Sequence, residues 1–528
     1  MNSTGYHRPS ARIALSSTTE ARSKRRRRTI VRQLGATCLA IVTLMVGPTA
    51  QAGLPAFPGA EGAGALAVGG RGGVVCKVTN LNDAGSGSLR ECVEMEGPRT
   101  VIFEVGGTIA LDNHLWIRHP YITIAGQTAP GGGIQIKSSG ARPDRSLIVV
   151  STNDVIIRYL RARRGVTGGK QHTLNVTDTA GQLVENVIVD HSSLFWAEDQ
   201  NFTVFGRSAT TAPRNITLQN SIIAEPVDGR VLMYIGAANS DANLNMTNID
   251  IHSNLLANSK HRNPMFRSAS GRYINNIGYH ATSWWSRFGP GSHVDIISNK
   301  WKRGPENPST RAQEELHFWE WFPDMRSVER FINRDNSLYI AGNWGQMSGM
   351  RPDSDNWSYT RIVDGNSNDS PGGVTPEKWK RDPWQPLAHV GVPITVRHVD
   401  NLEAILLPYV GAAKRLNCDG SWSSNRDEVD ARVVEEYRNY GGIVSPSHED
   451  DVGGFPLIKG GVACTDSSGD GIPDEWALAN GFEPADPLLG NRMHESGYTY
   501  LELYLNGLAV KSGENSISPP ASVSITVE

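Results

Sequence analysis

Two arginines five residues apart are the strongest chemical signal in this sequence of 528 residues. The segment from Arg262 to Arg267 has the form Arg-x-Pro-x-x-Arg, and Pro264 stiffens the chain between the two guanidinium groups. A guanidinium presents a planar fork of donors that matches a carboxylate. The pair predicts a site for a carboxylated ligand, although the motif is too short to be specific on its own.

A second candidate site is an acidic loop near the carboxyl end of the chain. Asp466, Ser468, Asp470 and Asp474 place side-chain oxygens at loop positions 1, 3, 5 and 9, with glycine at position 6, as in a calcium loop. Position 12, where such loops carry a bidentate glutamate, is Ala477. The spacing predicts a calcium site that is weak or completed from elsewhere. The alternative is a plain turn rich in aspartate and glycine.

The arginine pair stands at the end of one repeat in a series of similar repeats. Short β-branched runs with a central polar residue recur at intervals of roughly 20 to 35 residues, which is typical of a solenoid. The second residues of five successive runs are Val187, Ile216, Asp250, Ile274 and Asp295. Helical periodicity is nearly absent here, so the predicted fold is all-β, a parallel β-helix.

Asparagines recur at equivalent places in these repeats. Asn220, Asn254, Asn276 and Asn299 each follow a β-branched run, which predicts stacked side-chain amides inside the coils. A large β-sandwich or propeller is the alternative fold. It is disfavoured because the spacing is too irregular for blades and the runs are too short for hairpins.

The first 52 residues have the features of a signal peptide. Basic residues cluster between Arg22 and Arg28, an apolar run extends from Leu34 to Val46, and Ala50-Gln51-Ala52 is a small-x-small cleavage site. The apolar run is too short to span a bilayer. We therefore predict a secreted protein with no membrane partner, exported by either the general or the twin-arginine route.

The rest of the chain divides by composition. We predict a parallel β-helix catalytic domain over 53–345, a loop-rich wrapping extension over 346–455, a calcium-loop-like segment over 456–510 and a flexible tail over 511–528. The formal net charge is −3 at pH 7 and becomes more negative once the basic leader is removed. Nucleic-acid binding therefore has no support, and a site for a polyanion has to be a local basic patch.

Four cysteines remain outside the leader, which suits disulfides in an exported chain. Proximity favours Cys76–Cys92 and Cys418–Cys464, although four cysteines allow three pairings. No Cys-x-x-Cys spacing indicates a metal or redox centre.

Several longer motifs occur in a fixed order, namely AFPGAEGAGA, GGRGG, TNLNDAGSGSLRE, ITIAGQTAPGGG, VIIRYLRAR, VIVDHSSLFWAED, SIIAE and RNPMFR. Together they resemble the bacterial pectate lyases of polysaccharide lyase family 1, which are right-handed parallel β-helices. The resemblance extends over roughly residues 55 to 345. The acidic loop at Asp466 resembles the calcium-repeat tail often attached to such enzymes.

The resemblance implies cleavage of α-1,4-linked polygalacturonate by β-elimination in a protein expected to be a monomer. Arg262 matches the family's base, which removes the C5 proton, and Arg267 matches its carboxylate-binding arginine. Arg230 is the nearest equivalent of a substrate-binding lysine. The family's calcium, a Lewis acid that stabilises the developing enediolate, is the implied cofactor.

Glu198 and Asp199 are the groove calcium ligands that the resemblance implies. Two further ligand positions depart from the family pattern, because they are His172 and Thr203, and calcium prefers oxygen ligands. A calcium-independent pectin lyase or other uronan lyase therefore stays open. So does a non-catalytic polysaccharide-binding β-helix.

Overall fold

The computed structural model describes residues 53–510, apart from 180, 228–230, 238–241, 243–244, 284, 290, 308–314, 320–335 and 364–376. The predicted signal peptide, the predicted tail and Arg230 therefore lie outside the described residues.

Parallel strands form three sheets of ten, nine and nine strands within the described residues. The first sheet contains, in spatial order, β1 (Val74–Val78), β2 (Arg99–Phe103), β5 (Ile122–Ala125), β8 (Val155–Arg158), β11 (Glu185–Asp190), β14 (Arg214–Gln219), β17 (Thr247–His252), β20 (Ser270–Ile274), β23 (His293–Ile297) and β26 (Ser337–Ala341). The second sheet contains β3 (Gly107–Leu111), β6 (Ile134–Ser138), β9 (Arg161–Arg163), β12 (Ser193–Phe195), β15 (Ile222–Ala224), β18 (Leu255–Ser259), β21 (Ile277–Ala281), β24 (Lys300–Lys302) and β27 (Trp344–Gly345). The third sheet contains β4 (Leu115–Ile117), β7 (Ile148–Val150), β10 (Leu174–Thr177), β13 (Phe202–Gly206), β16 (Met233–Ala237), β19 (Met265–Phe266), β22 (Ser286–Phe288), β25 (Leu316–Trp319) and β28 (Thr360–Val363).

The chain visits the three sheets in turn, so each coil adds one strand to each sheet. This succession is a parallel β-helix, and it confirms the predicted all-β fold. The last strand of the third sheet, β28, lies beyond residue 345, where the sequence predicts the end of the β-helix domain.

Helices and a hairpin lie mainly in the segments before and after the coils. The α-helices are α1 (Leu89–Glu94), α2 (Leu402–Leu406), α3 (Glu428–Asn439), α4 (Asp474–Ala479) and α5 (Tyr500–Leu505), and the antiparallel hairpin is β29 (Lys414–Leu416) with β30 (Trp422–Ser424). Short 3-10 turns occupy Ala63–Leu66, Gly126–Thr128, Asn356–Tyr359, Glu377–Trp379, Val399–Asn401 and Glu449–Val452. None of the helices in the described part of the chain is long and apolar enough to cross a membrane.

β-branched side chains stack along the inside of the coils. Val187 pairs with Ile216, which pairs with Ile249 on the next strand, and all three side chains have no exposed area. β-branched residues suit this pleated surface, and each such buried side chain contributes about 1.5–3 kcal/mol through the hydrophobic effect. Repetition of this contact in successive coils builds one continuous core.

An asparagine ladder lies where the first sheet turns into the second. Asn254 donates from Nδ2 to Oδ1 of Asn276 at 3.1 Å, and Asn276 donates in the same way to Asn299 at 3.1 Å. Asn343 continues the ladder, accepting from Asn299 at 3.0 Å. The prediction for Asn220 is wrong, because Ser221 occupies the ladder position of that coil and donates its backbone N–H to Asn254.

Ser221 donates its backbone N–H to Oδ1 of Asn254 at 2.9 Å, which places it directly in line with the ladder. Asn220 is displaced by one residue, and its side chain donates instead to Asp190 at 3.0 Å. A shift of one residue turns a side chain to the other side of the coil, which explains why the sequence misplaced this amide.

The segments before and after the coils cover the outer faces of the first two sheets. On the second sheet, Ile222 and Leu255 pack in one cluster with Leu402 and Val433 of the wrapping extension. On the first sheet, Ile188 packs against Phe57, a residue of the segment that precedes the coils. Both predicted disulfides, Cys76–Cys92 and Cys418–Cys464, are present.

Candidate active site

Arg262 lies in the turn that leads from β18 of the second sheet to β19 of the third. The next residue fixes this turn to its neighbours, because Asn263 accepts a hydrogen bond from Oγ of Ser259 at 2.6 Å. Its backbone N–H donates to the carbonyl of Trp285 at 2.7 Å, and its own carbonyl accepts from Oγ of Ser286 at 2.6 Å. The turn that presents Arg262 is therefore held rigidly to the following coil.

Arg262 adopts a left-handed backbone conformation with φ of 65°. Left-handed conformations of non-glycine residues often mark functional sites. Here, however, Trp196, Glu225 and Asn258 have φ values of 57°, 53° and 55° at the ends of strands of the second sheet. Asn258 is the member of this repeated series in the coil that carries Arg262, so the left-handed conformation of Arg262 is an additional one in the same turn.

Tyr234 on β16 contacts both arginines of the motif. The guanidinium of Arg267, which is 4% exposed, donates to the Tyr234 hydroxyl at 3.0 Å. The guanidinium carbon of Arg262 lies 5.7 Å from the centre of the Tyr234 ring, within the range of a cation–π contact. The two arginines predicted from the sequence are thus brought together on one aromatic ring.

A third arginine follows in the next coil. Arg287 on β22 pairs in register with Met265 of β19, and its backbone N–H donates to the carbonyl of Pro264 at 2.8 Å. Burial, together with the charge of Arg262, lowers the pKa of Arg287 to about 8. Arg287 is therefore a buried cation close to the charge of Arg262, and its proton is held weakly.

Two histidines beside these arginines are neutral at physiological pH. Burial, followed by the charges of Arg287 and Arg262, lowers the pKa of His261 to about 2. Burial, followed by the charges of Arg287 and Arg361, lowers the pKa of His317 to about 3. The positive charge of this site is therefore carried by arginine and not by imidazolium.

Glu198, a predicted groove calcium ligand, is occupied by local hydrogen bonds. Its carboxylate pairs with Arg164 and accepts from the backbone N–H groups of Thr167, Gly168 and Gly169 at 3.0, 2.6 and 3.2 Å. Although burial acts to raise it, these partners lower the pKa of Glu198 to about 2. The carboxylate thus shapes the loop before β10.

Asp199, the second predicted groove ligand, is more exposed, with 37% of its side chain accessible. Its Oδ2 lies 4.0 Å from Nδ1 of His172. Burial, followed by the charges of Arg164 and Arg207, lowers the pKa of His172 to about 4. Nothing in the described residues gathers three His, Cys, Asp or Glu side chains into a metal-binding group. Within the described residues, the donors around Asp199 therefore do not make up a calcium site.

The acidic loop near the carboxyl end uses its oxygens for turns. Asp466 accepts from the N–H groups of Gly469 and Gly471, each at 2.8 Å, and pairs with Lys77 at 2.9 Å. Ser468 donates to the same carboxylate at 3.1 Å. A lysine in contact with the first loop position disfavours a cation there.

The other two aspartates of this loop also accept hydrogen bonds from nearby groups of the protein. Asp470 accepts from the backbone N–H groups of Ile472 and Gly490 at 3.0 and 2.7 Å. Asp474, the first residue of α4, accepts from the N–H and hydroxyl of Ser467 at 2.8 and 2.6 Å. The structure does not support the likeness to a calcium repeat, and a metal role for this loop stays a prediction.

Sequence reasoning missed Tyr234 and Arg287. Tyr234 is in register with Met265, which is in register with Arg287, and Arg287 with His317. Because residues in register in a parallel sheet lie about 4.8 Å apart, these side chains form one row along the third sheet. The signal that could have found them is the polar residue at the second place of MYIGA, SRF and LHFW, aligned to the arginine motif.

The fold and the arginine cluster define the class of protein: a parallel β-helix with a cationic site suited to carboxylated ligands. No protein-family model matches the chain. The probable pectate lyase C of Aspergillus flavus is 31% identical over 473 residues, which cover 87% of this chain and 95% of that protein. The probable pectate lyase C of Emericella nidulans is 31% identical over 481 residues, covering 89% and 96%.

The chain belongs to the pectate lyase family and is a polysaccharide lyase. These relatives are fungal, so the expected likeness to bacterial members in particular is not supported. Among solved structures, a pectate lyase bound to a hexasaccharide is similar at 13% identity and a TM-score of 0.42, covering 69% of this chain and 99% of that one. A pectate lyase from Paenibacillus sp. 0602 has the same identity and TM-score, covering 67% and 95%.

Proposed function

We propose that this protein cleaves α-1,4-linked polygalacturonate by β-elimination, with Arg262 as the base and Arg267 as a ligand for a substrate carboxylate. The observation that carries the proposal is the convergence of both arginines on Tyr234. Arg230, which lies outside the described residues, is proposed as a further substrate-binding cation.

The reaction requires a base and a stabiliser of negative charge. The base takes the proton from C5, the C5 electron pair forms the C4–C5 double bond, and the bond from C4 to the glycosidic oxygen breaks. That oxygen leaves with the electron pair and acquires a proton from solvent. Negative charge develops on the C6 carboxylate before the bond breaks, and positioned guanidinium groups stabilise it most effectively where water is excluded.

An arginine acts as a base only when its protonated form is disfavoured, because the free side chain has a pKa above about 12. Below about pH 8, where Arg287 keeps its own proton, its neighbouring charge contributes to this effect. Repulsion between the two guanidinium groups is mutual, so loss of the Arg262 proton relieves it. Bound substrate carboxylates favour the protonated form of Arg262. We therefore expect activity to rise into the alkaline range.

Calcium is part of the family resemblance, where it stabilises the charge that develops on the substrate carboxylate. The described donors do not fit a resident ion, so we assign no step to it. The capture of Glu198 by Arg164 and the loop N–H groups favours a second candidate function, a calcium-independent uronan lyase such as a pectin lyase. A chelator tests for a calcium requirement, and activity that survives the chelator favours the second candidate.

Export to an oxidising compartment is also part of the proposal. The Cys76–Cys92 and Cys418–Cys464 disulfides persist where thiols are not kept reduced. The signal peptide remains a prediction from the sequence and is tested by sequencing the amino terminus of the mature protein.

The direct test is the ultraviolet absorbance of the unsaturated product formed from polygalacturonate and from methyl-esterified pectin at alkaline pH. Wild type, Arg262→Ala and the surface control Arg438→Ala are compared with calcium and with chelator. Product that requires Arg262 and tolerates loss of Arg438 supports the lyase proposal. Absence of product from both polymers with the wild-type chain overturns it.

A further inference from the structure

A cavity of about 600 Å³ lies at the corner where the first sheet passes into the second. Tyr159, His191 and Asn220 line it from the turns that follow β8, β11 and β14. Arg397 and Tyr409 line it from the wrapping extension. Its volume is in the range of small-ligand sites.

This cavity is separate from the arginine cluster. Its wall residues follow strands of the first sheet, whereas Arg262 lies between the second and third sheets. The pectate lyase chemistry proposed above uses none of its residues.

Aromatic rings form much of the wall. The Tyr159 ring stacks on His191 with centroids 4.9 Å apart and an interplanar angle of 11°, and its centroid is 5.2 Å from that of Trp422. Tyr409 is 49% exposed. Aromatic side chains with one apolar face and one polar tip suit the C–H faces of sugar rings.

One cation of the cavity is neutralised within the protein. Arg158 donates to Asp190 at 2.9 Å and to Asn506 at 2.8 Å. Asp190 is fully buried and also lies 2.9 Å from Nδ1 of His191. This group is a satisfied structural cluster that fixes the cavity floor.

Two further cations of the cavity differ from Arg158. Neither Arg397 nor Lys414 has a carboxylate within salt-bridge distance in the part of the chain that the structure describes. Lys414 lies with its Nζ 4.4 Å from the centre of the Tyr409 ring. Both side chains are partly buried, so the cavity keeps uncompensated positive charge in a chain whose formal net charge is negative.

We propose that this cavity is a second, non-catalytic binding site for an acidic saccharide. Uronate carboxylates pair with Arg397 and Lys414, and a sugar ring packs against Trp422. The combination of aromatic faces with two cations that have no carboxylate partner among the described residues selects a carboxylated sugar over a neutral one. The choice of galacturonate as the uronate rests on the proposed function.

A second site of this kind changes how the enzyme binds a polymer. Binding one segment of a chain at the cavity raises the effective concentration of neighbouring segments at the arginine cluster. The gain applies to polymers long enough to reach both sites and is absent for short oligomers.

The test measures calorimetric binding of a short oligogalacturonide to the Arg262→Ala protein, so that no substrate is consumed. We expect two sites. Adding Arg397→Ala and Lys414→Ala should weaken one of them by about tenfold or more, because each charge-assisted hydrogen bond contributes on that scale. Adding Arg438→Ala, an exposed arginine on α3, should change neither site.

Two further probes identify the ligand class. A neutral maltooligosaccharide should not bind at the cavity, and inorganic phosphate should bind at least about tenfold more weakly than the uronide because it lacks ring contacts. Quenching of Trp422 fluorescence, absent in a Trp422→Phe variant, reports occupancy of this cavity specifically.

A single uronide site that is insensitive to Arg397 and Lys414 overturns the proposal, and so does equal affinity for phosphate. The product assay on the wild-type chain is run in parallel. Absence of product overturns only the catalytic assignment, whereas loss of the cavity signal overturns only the second site.

Discussion

Arg163 on the second sheet and Arg287 on the third are both buried strand arginines, yet their surroundings differ. Arg163 donates to Asp427 at 2.7 and 2.9 Å and to Asp430 at 2.9 Å. Although burial acts to lower it, these two carboxylates raise the pKa of Arg163. Arg287 instead adjoins Arg262, and its pKa falls to about 8.

The difference shows that residue type and burial do not decide the role of an arginine in this solenoid. The wrapping extension supplies two carboxylates to the second sheet, and the ion pairs fasten α3 to the coils. The third sheet places arginines and neutral histidines beside one another. The carboxylate partners of Arg163 stabilise the fold, whereas the arginines beside Tyr234 are the ones that we propose to bind an anionic polymer and to release a proton.

The largest expected effect is on catalysis. Arg262→Ala should lower kcat/KM for polygalacturonate by about 10²–10⁴-fold, which is the usual contribution of a general base. The unfolding midpoint should change little, since the turn is held through Asn263 rather than through the Arg262 side chain. Product absorbance and thermal unfolding are measured on the same preparations. Retained activity would transfer the role of base to another residue.

The next effect is on stability. Asp427→Asn should lower the free energy of unfolding by about 3–5 kcal/mol, because it leaves Arg161 and Arg163 buried with too little negative charge. Urea unfolding measures the change. The residual activity of the folded fraction should match wild type, and an equal loss of specific activity would show that the second sheet influences the third.

The same ion pairs predict that the stability of the fold depends on pH. Although burial acts to raise it, the charges of Arg163 and Arg161 lower the pKa of Asp427 from 3.8 to about 2. A depressed pKa contributes stability above the unfolded value, and this contribution is lost as the pH falls from about 4 towards 2. Unfolding of wild type and Asp427→Asn across this range should show a steeper loss for wild type.

A smaller effect is expected at Arg287. Arg287→Ala removes the positive charge that Arg287 carries beside Arg262 below about pH 8, so in that range the base should hold its proton more firmly. The rising limb of the kcat/KM profile should move up by about one pH unit. Arg287→Lys keeps the charge and should keep the profile close to wild type. An unchanged profile for the alanine variant would contradict the role assigned to charge repulsion.

The smallest effect is expected at Tyr234. Tyr234→Phe removes the hydrogen bond to Arg267 at 3.0 Å and keeps the ring beside Arg262. One such bond contributes about 1 kcal/mol, so KM should rise about fivefold with little change in kcat. If kcat falls instead, the hydroxyl takes part in the chemistry.

Local patterns were sufficient for the coil fold and the arginine motif. The β-branched runs predicted the strands, and three of four asparagines fell in the ladder, because strand register repeats whatever the rest of the chain does. The prediction for Asn220 failed because a shift of one residue in its position cannot be recognised from the sequence when the repeats vary in length. Glu198 could not be assigned from sequence, since its partners Arg164 and Gly168 are brought to it by the preceding coil.

By itself the sequence predicted the parallel β-helix and the Arg262–Arg267 pair and favoured the two observed disulfides among three pairings. These predictions rest on relative proximity along the chain or on equivalent places in a repeat. Only the tertiary structure decided which arginines meet carboxylates of the wrapping extension and which adjoin another arginine. The partners of Arg163 and the neighbour of Arg262 come from other coils and from the wrapping extension. Charge interactions depend on distance in space, and the order of residues along the chain does not reveal that distance.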